Sequence, residues 1–286
     1  MPSTLKPPRE QVSRDSVGIE YRAVTKSYGP VHALDEVSFS VEPGSFVSLV
    51  GPSGCGKSTL LLMTAGLVPT TTGSILIGGG TVNSPQTELG IAFQDATLLD
   101  WRDALGNVML QIEARHMDRS RYEPAARTLL SQVGLDGFER AYPRQMSGGM
   151  RQRVSLCRAL VHDPPLLLMD EPFGALDYLT RAQLMLDLHN LWYERSKTVL
   201  FVTHSVEEAV FLSNRVIIMT PRPGRIDRTI GIDLPTPRNL HVRRSAKFSG
   251  YVDEITAAFV EQGVLHESLG APDADREGQK VDGRPT

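Results

Sequence analysis

A glycine-rich segment between an apolar run and a helix-forming run restricts the fold of this 286-residue chain more than any other feature. Residues 51–59 read GPSGCGKST, with the spacing G-x-x-x-x-G-K-S. Ser45–Val50 has the short apolar profile of a buried strand, and Thr59–Leu67 can begin a helix. Glycines let successive backbone N–H groups converge on phosphate oxygens, and the helix N-terminus adds partial positive charge. The sequence therefore predicts a strand–loop–helix unit that binds nucleotide phosphates.

Two side chains of this loop have separate chemical roles. Lys57 can reach the β- and γ-phosphates, and the Ser58 hydroxyl can hold Mg²⁺. The alternative interpretation is an ordinary glycine-rich turn between a strand and a helix. The complete pattern in its strand–helix context favours a loop that binds a nucleoside triphosphate. The predicted loop consists of Gly51, Pro52, Ser53, Gly54, Cys55, Gly56, Lys57, Ser58 and Thr59.

Composition and charge limit the class of protein. The chain is 41% hydrophobic and 22% charged, which is typical of a soluble globular protein. A formal net charge of −3 gives no reason to expect a nucleic-acid partner. The longest apolar run, Leu60–Val68, is shorter than the roughly 20 residues that span a bilayer. The first residues lack the apolar core of a secretory signal, so we expect the chain to stay in the cytoplasm.

The two cysteines do not form a disulfide framework or a metal site. Cys157 lies at helical spacing with Val154 and Val161, which predicts a buried core thiol. Cys55 lies in the glycine-rich loop, where a helix N-terminus and Lys57 would favour its thiolate. A small residue that only fills the loop is the simpler interpretation of Cys55, and both remain open.

The order of the predicted elements is typical of an α/β fold with a parallel sheet. Strands and helices alternate, except for a helical insertion at about residues 96–163. The predicted strands are Ile19–Val24, Val31–Val41 in part, Phe46–Val50, Ser74–Ile77, Gly90–Phe93, Leu166–Met169, Thr198–Val202 and Val216–Met219; the predicted helices are 102–115, 121–133, Tyr178–Arg195, Val206–Leu212 and 249–262.

The chain divides into three parts. Residues 1–17 are polar and proline-rich, which predicts disorder. Residues 18–234 form one nucleotide-binding domain without an internal repeat, in which 225–234 adds an edge hairpin. Residues 235–286 form a C-terminal extension with one peripheral helix and a disordered tail.

A strand that ends in two carboxylates is the second chemical feature. The run Leu166–Met169 is followed directly by Asp170 and Glu171, and such a strand opens at the ligand crevice of a parallel sheet. Asp170 can hold Mg²⁺ through its water shell. Glu171 can polarise the attacking water as a general base. The alternative for two adjacent acids, a solvated helix face, does not fit the apolar run before them.

A second glycine pair predicts another anion site. Ser147 can cap a helix, and Gly148 and Gly149 leave backbone amides uncovered at its start. One nucleotide needs one phosphate cradle, so this element suggests contact with a nucleotide bound to a second subunit. The alternative is a plain capped helix with a basic solvent face, formed by Arg151, Arg153 and Arg158.

Taken together, these motifs resemble those of the ATP-binding subunits of ABC transporters. The resemblance extends over about residues 19–225. It implies a P-loop NTPase core of the RecA-like type with a mainly parallel sheet, an N-terminal antiparallel β subdomain and an inserted α-helical subdomain. The motifs that carry it are GPSGCGKST (51–59), Gln94, MSGGM (146–150), LLLMDEP (166–172), GALD (174–177) and His204.

The resemblance implies roles for individual residues around ATP and Mg²⁺. Tyr28 would stack on adenine, although by itself it reads as a turn or core aromatic. Gln94 would contact Mg²⁺ and the attacking water. His204 would contact the γ-phosphate and position Glu171, whereas a lone histidine is more often an ordinary core or surface residue. The implied catalytic residues are Glu171, His204, Gln94 and Lys57, and the implied metal ligands are Ser58, Gln94 and Asp170.

The resemblance also implies a dimer in which ATP lies between two copies. Ser147, Gly148 and Gly149 of one copy would contact the γ-phosphate bound to the other, and Asp177 would link the two sites. One departure is Met146 and Met150, where such subunits often have leucine and glutamine. We expect Met150 to pack behind the glycines without touching phosphate.

Two segments resemble the nitrate, sulfonate and taurine importer subfamily. They are 94–102 (QDATLLDWR) and Pro221–Ile226 (PRPGRI); importers of pyrimidine vitamin precursors share similar patches. In such subunits the first segment docks the permease, and Leu98, Leu99 and Trp101 would form the apolar patch that receives it. The alternative is that Trp101 only covers the inserted helices.

The resemblance implies an ATP-hydrolysing importer subunit. Its partners would be a second copy, the integral membrane permease subunits and, indirectly, a periplasmic substrate-binding protein. It would lie at the cytoplasmic face of the bacterial inner membrane. The alternatives are a soluble ABC ATPase of DNA repair or translation and a nucleotide kinase. ATPases of the soluble kind typically carry two nucleotide units or a long coiled coil, and the sequence shows neither.

Overall fold

The computed structural model describes residues 16–174 and 176–265. The segments predicted to be disordered lie outside this part of the chain, except for residues 16 and 17. The strands are β1 (Ile19–Tyr28), β2 (Val31–Val41), β3 (Phe46–Val50), β4 (Thr72–Ile77), β5 (Gly80–Thr81), β6 (Gly90–Ala92), β7 (Leu166–Asp170), β8 (Thr198–Thr203), β9 (Arg215–Met219) and β10 (Ile226–Gly231). The helices are α1 (Lys57–Thr64), α2 (Ala104–Ala114), α3 (Arg119–Gln132), α4 (Gly148–Leu160), α5 (Tyr178–Arg195), α6 (Val206–Leu212) and α7 (Ala246–Glu261).

The larger sheet has the strand order β10-β9-β3-β8-β7-β6. The last five strands run parallel, and only β10, the strand predicted within 225–234, pairs antiparallel at the edge. Every residue of β3, β7 and β8 is buried. Strands buried on both faces read as continuous apolar runs, which is why the sequence pattern located them. The predicted α/β fold with a mainly parallel sheet is confirmed.

The two faces of this sheet carry separate cores. Phe46 and Met169 point into a core shared with α2–α7, whereas Val47 and Leu168 point into a core shared with α1 and the smaller sheet. This alternation follows from the two-residue period of a strand. The smaller sheet is antiparallel, in the order β2-β1-β4-β5.

The helices α2, α3 and α4 pack together at one end of the large sheet. Asn107, which is fully buried, donates to the carbonyl oxygens of Leu99, Arg102 and Asp103, and its Oδ1 accepts from the Leu99 N–H at 2.7 Å. These bonds fix the segment that enters the helices. Within the described residues no helix is long and apolar enough to cross a bilayer.

The helix predicted at 249–262 begins earlier, at Ala246, because Ser245 accepts a hydrogen bond from the Phe248 N–H and caps it. One of its faces buries Phe248 and Ile255 in the core next to α6.

Candidate active site

An open cavity of about 390 Å³ lies where β3, β7 and β8 end. The carboxyl ends of parallel strands meet at one edge, which is where α/β sheets bind ligands. Three lining residues, Val31, Ala33 and Arg222, were not predicted from the sequence. The cavity is lined by Tyr28, Val31, Ala33, Ser53, Gly54, Gly56, Lys57, Ser58, Thr59, Gln94, Glu171, His204 and Arg222.

The glycine-rich loop needs glycine at two positions for conformational reasons. Gly54 has φ 73° and Gly56 has φ 102°, in the region that L side chains rarely adopt. A Cβ on Gly56 would also lie only 2.6 Å from the Leu34 side chain. The loop leads into α1, whose first-turn N–H groups have no partner within the helix. The predicted strand–loop–helix unit is confirmed, and its N–H groups are available to an anion.

Lys57 lies inside the loop and is only 5% exposed. Its Nζ donates to the carbonyl oxygens of Gly51 at 2.8 Å and Pro52 at 3.1 Å. These bonds hold the ammonium next to the loop, within the cavity lining. A positive charge held there suits it to bind phosphate oxygens.

The hypothesis of a reactive thiolate at Cys55 is wrong. Its side chain is fully buried, and burial raises the pKa of the thiol despite the opposing charge of Lys57. Cys55 is therefore the small loop-filling residue of the simpler interpretation. Cys157 is also fully buried, as predicted, and burial raises its pKa to about 12.

Ser58, which lines the cavity, forms an oxygen pair with Asp170, the last residue of β7. The Ser58 hydroxyl donates to Asp170 Oδ1 at 3.0 Å. Burial raises the pKa of Asp170, the Ser58 hydrogen bond partly offsets this, and the charge of Glu171 adds to it. A carboxylate and a hydroxyl are hard oxygen donors that suit Mg²⁺, and a cation would compensate the buried charge. Among the described residues no cluster of three His, Cys, Asp or Glu side chains could hold a metal.

Two side chains converge on the carboxylate of Glu171. His204 Nδ1 lies 3.1 Å from Glu171 Oε2, and Gln94 Nε2 donates to the same oxygen at 3.4 Å. Glu171 has φ 45°, a sparsely populated conformation that is held by its N–H bond to the Val202 carbonyl oxygen. The structure thus brings together Gln94, Glu171 and His204, three of the four residues whose catalytic roles the resemblance implies.

Glu208 fixes the turn that carries His204, a role that the sequence did not predict. Thr203 donates to Glu208 Oε2 at 2.7 Å and accepts from the Ser205 N–H, and Ser205 Oγ accepts from the Glu208 N–H. Burial raises the pKa of Glu208. Glu208 lies three residues after the capping Ser205, and this serine–glutamate spacing is the pattern in the sequence that could have identified it.

The second glycine pair lies outside the cavity lining. Ser147 Oγ accepts from the Met150 N–H at 3.2 Å and caps α4 as predicted, and Ser147 and Gly148 are exposed. Asp177 caps α5 by accepting from the Thr180 N–H at 3.0 Å, which lowers the pKa of its carboxyl. The structure does not bring Ser147, Gly148, Gly149 or Asp177 to the phosphate loop of the same chain.

The basic solvent face of the alternative interpretation is present only in part, because Arg151 is exposed but Arg153 and Arg158 bond to neighbouring segments. Arg158 is 7% exposed and donates to the carbonyl oxygens of Ala96 and Thr97 at 2.9 Å. Arg153 donates to the Val133 carbonyl oxygen at 2.8 Å. These two arginines therefore hold neighbouring segments together.

The predicted docking segment has a mixed exposure. Trp101 is 74% exposed, so it does not serve to cover the inserted helices. Leu98 is half-buried and packs against the core, and Leu99 is half-buried. Met150 is likewise half-buried against the core, as expected from its position behind the glycines.

Comparison with known proteins agrees with this arrangement. The ABC transporter family pattern matches residues 34–174. An uncharacterised ABC transporter ATP-binding protein of Methanocaldococcus jannaschii is 46% identical over 79% of this chain and 83% of its own length. A taurine import ATP-binding protein of Rhizobium johnstonii is 44% identical over 79% and 88%. An aliphatic sulfonates import ATP-binding protein of Bacillus cereus is 40% identical over 86% and 95%.

A solved structure shows the same fold. A dimeric ATP-binding cassette in a post-hydrolysis state, bound to ADP and phosphate, superimposes with a TM-score of 0.69 and is 32% identical. The match covers 76% of this chain and all of that cassette. Residues of the phosphate loop, Glu171 and His204 line one cavity of a chain that aligns with such proteins over most of its length. The chain therefore belongs to the family of ABC transporter ATP-binding subunits and hydrolyses ATP in that role.

Proposed function

We propose that this chain is the ATP-hydrolysing subunit of an ABC importer for a small sulfonate, taurine, nitrate or a similar solute. The observation that carries the proposal is the convergence of Gln94 and His204 on Glu171, across the cavity from the phosphate loop. Relatives named for sulfonate and taurine import support the solute class. The chain would act at the cytoplasmic face of the bacterial inner membrane.

In the proposed mechanism the chain's own residues bind and orient ATP. The loop N–H groups and Lys57 hold the phosphates, and Tyr28 stacks on adenine. Ser58, Asp170 and Gln94 would hold Mg²⁺, which supplies charge neutralisation for the phosphates when bound. Glu171 accepts a proton from the attacking water, while His204 holds the carboxylate in place.

Each site is completed by a second copy of the chain. Ser147, Gly148 and Gly149 of the partner contact the γ-phosphate, and Asp177 connects the two sites. Support comes from the exposure of Ser147 and Gly148 outside the cavity and from the dimeric state of the similar cassettes. Closure around two ATP molecules and reopening after hydrolysis would move the docked permease halves between two states.

The permease would dock on the segment around Trp101. A tryptophan that is 74% exposed next to two half-buried leucines offers an apolar anchor for a partner. The solute itself would be bound by the permease and by a periplasmic substrate-binding protein. This chain therefore carries the energy-coupling step and none of the contacts to the solute.

The test is reconstitution with the permease encoded beside this chain. The full-length chain is co-purified with that permease, placed in proteoliposomes with the matching periplasmic binding protein, and supplied with labelled taurine, an alkanesulfonate or nitrate. We expect ATP-dependent uptake of one of them, and none with Glu171→Gln. Uptake of a pyrimidine vitamin precursor instead would overturn the solute class. Co-purification with ribosomes and no permease would overturn the importer role.

A further inference from the structure

An arginine to which the sequence analysis gave no role in nucleotide binding reaches the nucleotide cavity. Arg222 lies in the loop between β9 and β10, and it lines the cavity together with Ser53 and Gly54 of the phosphate loop. Its Nε donates to the Gly54 carbonyl oxygen at 3.3 Å. A Cβ on Gly54 would lie 3.2 Å from Arg222 Nη2, so the guanidinium occupies the space that a side chain on Gly54 would take.

The loop that carries Arg222 is held from two sides. The Gly224 N–H donates to the Ala33 carbonyl oxygen, and the Asp35 N–H donates to the Gly224 carbonyl oxygen, both at 3.0 Å. A Cβ on Gly224 would overlap the carbonyl oxygen of Cys55. Arg225 of the same loop pairs with Asp35 on β2. The loop is therefore packed between β2 and the phosphate loop, which positions Arg222 at the cavity.

The guanidinium has unused donors. Within the part of the chain that the structure describes, its only hydrogen bond is the one from Nε to Gly54, which leaves the two Nη groups free. A guanidinium carries five N–H donors and a permanent positive charge. Among the described lining residues only Lys57 and Arg222 carry a permanent positive charge, and Glu171 adds a carboxylate.

The phosphate chain of a nucleoside triphosphate carries several negative charges. Lys57 supplies one positive charge from inside the loop, and Arg222 supplies a second from outside it. Arginine binds phosphate oxygens with paired N–H donors.

We propose that Arg222 is a further nucleotide-binding residue, which donates hydrogen bonds to the phosphate chain of ATP from the β9–β10 loop. This inference rests on the proposed ATP site and adds a residue to it. Arg222 holds the phosphates and takes no part in proton transfer.

The test is calorimetric titration of the full-length chain carrying Glu171→Gln, so that ATP stays intact. Arg222→Ala should weaken ATP binding by about 5- to 30-fold, the range of one charge-assisted hydrogen bond at a partly exposed site. Adenosine should bind with less than about a twofold change, because it lacks phosphate. Arg222→Lys should recover part of the ATP affinity, because it restores the charge without the paired donors.

Arg225→Ala is the matched control, since it removes an arginine of the same loop that does not line the cavity, while the two backbone hydrogen bonds of Gly224 still hold the loop. It should bind ATP within about twofold of the parent. The inference would be overturned if Arg222→Ala kept the parent's affinity for ATP, or if it weakened the binding of adenosine by the same factor as the binding of ATP. It would also be overturned if Arg225→Ala weakened ATP binding as much as Arg222→Ala does. Failure of the parent to bind ATP, or no loss with Lys57→Ala, would overturn the ATP site itself.

Discussion

The predicted nucleotide site has two halves, the cavity residues on one side and the starts of α4 and α5 on the other. They differ in how much of each is completed within one chain. On the cavity side, polar groups from separate elements bond to one another, as Ser58 does to Asp170 and Gln94 to Glu171. On the other side, the side chains of Ser147 and Asp177 bond to N–H groups three residues further along their own helices. The difference teaches that the first half is assembled by folding, while the second is an exposed, capped helix start that the proposed dimer would cover.

The aspartates of the two halves show the same contrast in their electrostatics. Burial raises the pKa of Asp170, whereas the hydrogen bond from Thr180 lowers the pKa of Asp177. Asp170 lies where a cation would compensate its charge. Asp177 is stabilised as an anion at the surface by the helix start that it caps.

The largest effect is expected from Glu171→Gln. Removal of the general base should lower the rate of ATP hydrolysis by about 10²- to 10⁴-fold, because glutamine cannot accept the proton of water. ATP should still bind and hold two copies together, which size-exclusion chromatography with ATP would show. The matched control is Glu207→Gln on α6, an exposed glutamate paired with Arg243. If the Glu171→Gln protein hydrolysed ATP as fast as the parent, Glu171 would not be the general base.

A smaller effect is expected at the adenine side of the cavity. Tyr28 is 47% exposed and lines the cavity, with Lys26 Nζ 4.8 Å from its ring centroid. Tyr28→Ala should weaken ATP binding by about 3- to 10-fold through lost ring stacking. The affinity for adenosine should fall by the same factor, whereas Arg222→Ala should leave that affinity nearly unchanged. Tyr28→Phe should bind both ligands like the parent; if it weakened them as much as alanine does, stacking would not explain the role of Tyr28.

The smallest effect concerns stability and its pH dependence. The pKa of Asp170 rises on folding, so its charge costs stability increasingly as the pH rises through that pKa. Asp170→Asn should therefore raise the free energy of unfolding of the nucleotide-free chain at pH 8, and the gain should be lost as the pH falls to about 4, the ordinary pKa of an aspartate.

The pKa of Asp177 falls on folding, so its contribution is present at neutral pH and is lost as the pH falls below about 4. Asp177→Asn keeps a side chain that can cap α5, so it should lower the free energy of unfolding only slightly at pH 8. Urea denaturation of both variants at pH 8, pH 5 and pH 3 measures this. Lower stability of Asp170→Asn at pH 8 would mean that the charged hydrogen bond to Ser58 outweighs the burial cost.

The sequence predicted the elements whose local signals are strong. Helices α5 and α6 begin and end at the predicted residues, because Asp177 and Ser205 cap them. Strand β1 is longer than predicted, since bulges, one near Ala23 at φ 47°, interrupt its alternation. The two-residue strand β5 was missed because two residues carry no periodic signal.

The parts of the site that escaped prediction depend on long-range contacts. Arg222 and Ala33 reach the cavity because residues 220–225 pack against β2, where Leu34 bridges to Gly224. No local pattern encodes that contact. The phosphate loop and the carboxylate pair were predictable, because the residues that form each of them are adjacent in the sequence.

The most direct test of the shared site mixes two inactive variants. Lys57→Ala removes the phosphate-loop lysine, and Ser147→Arg blocks the capped helix start; each alone should abolish ATP hydrolysis. In a mixed dimer, the intact loop of one copy would meet the intact Ser147 of the other. The account predicts that mixing restores about a quarter of the wild-type rate, since half of randomly paired dimers are mixed and each has one sound site. No recovery on mixing, with mixed dimers shown to form, would contradict it.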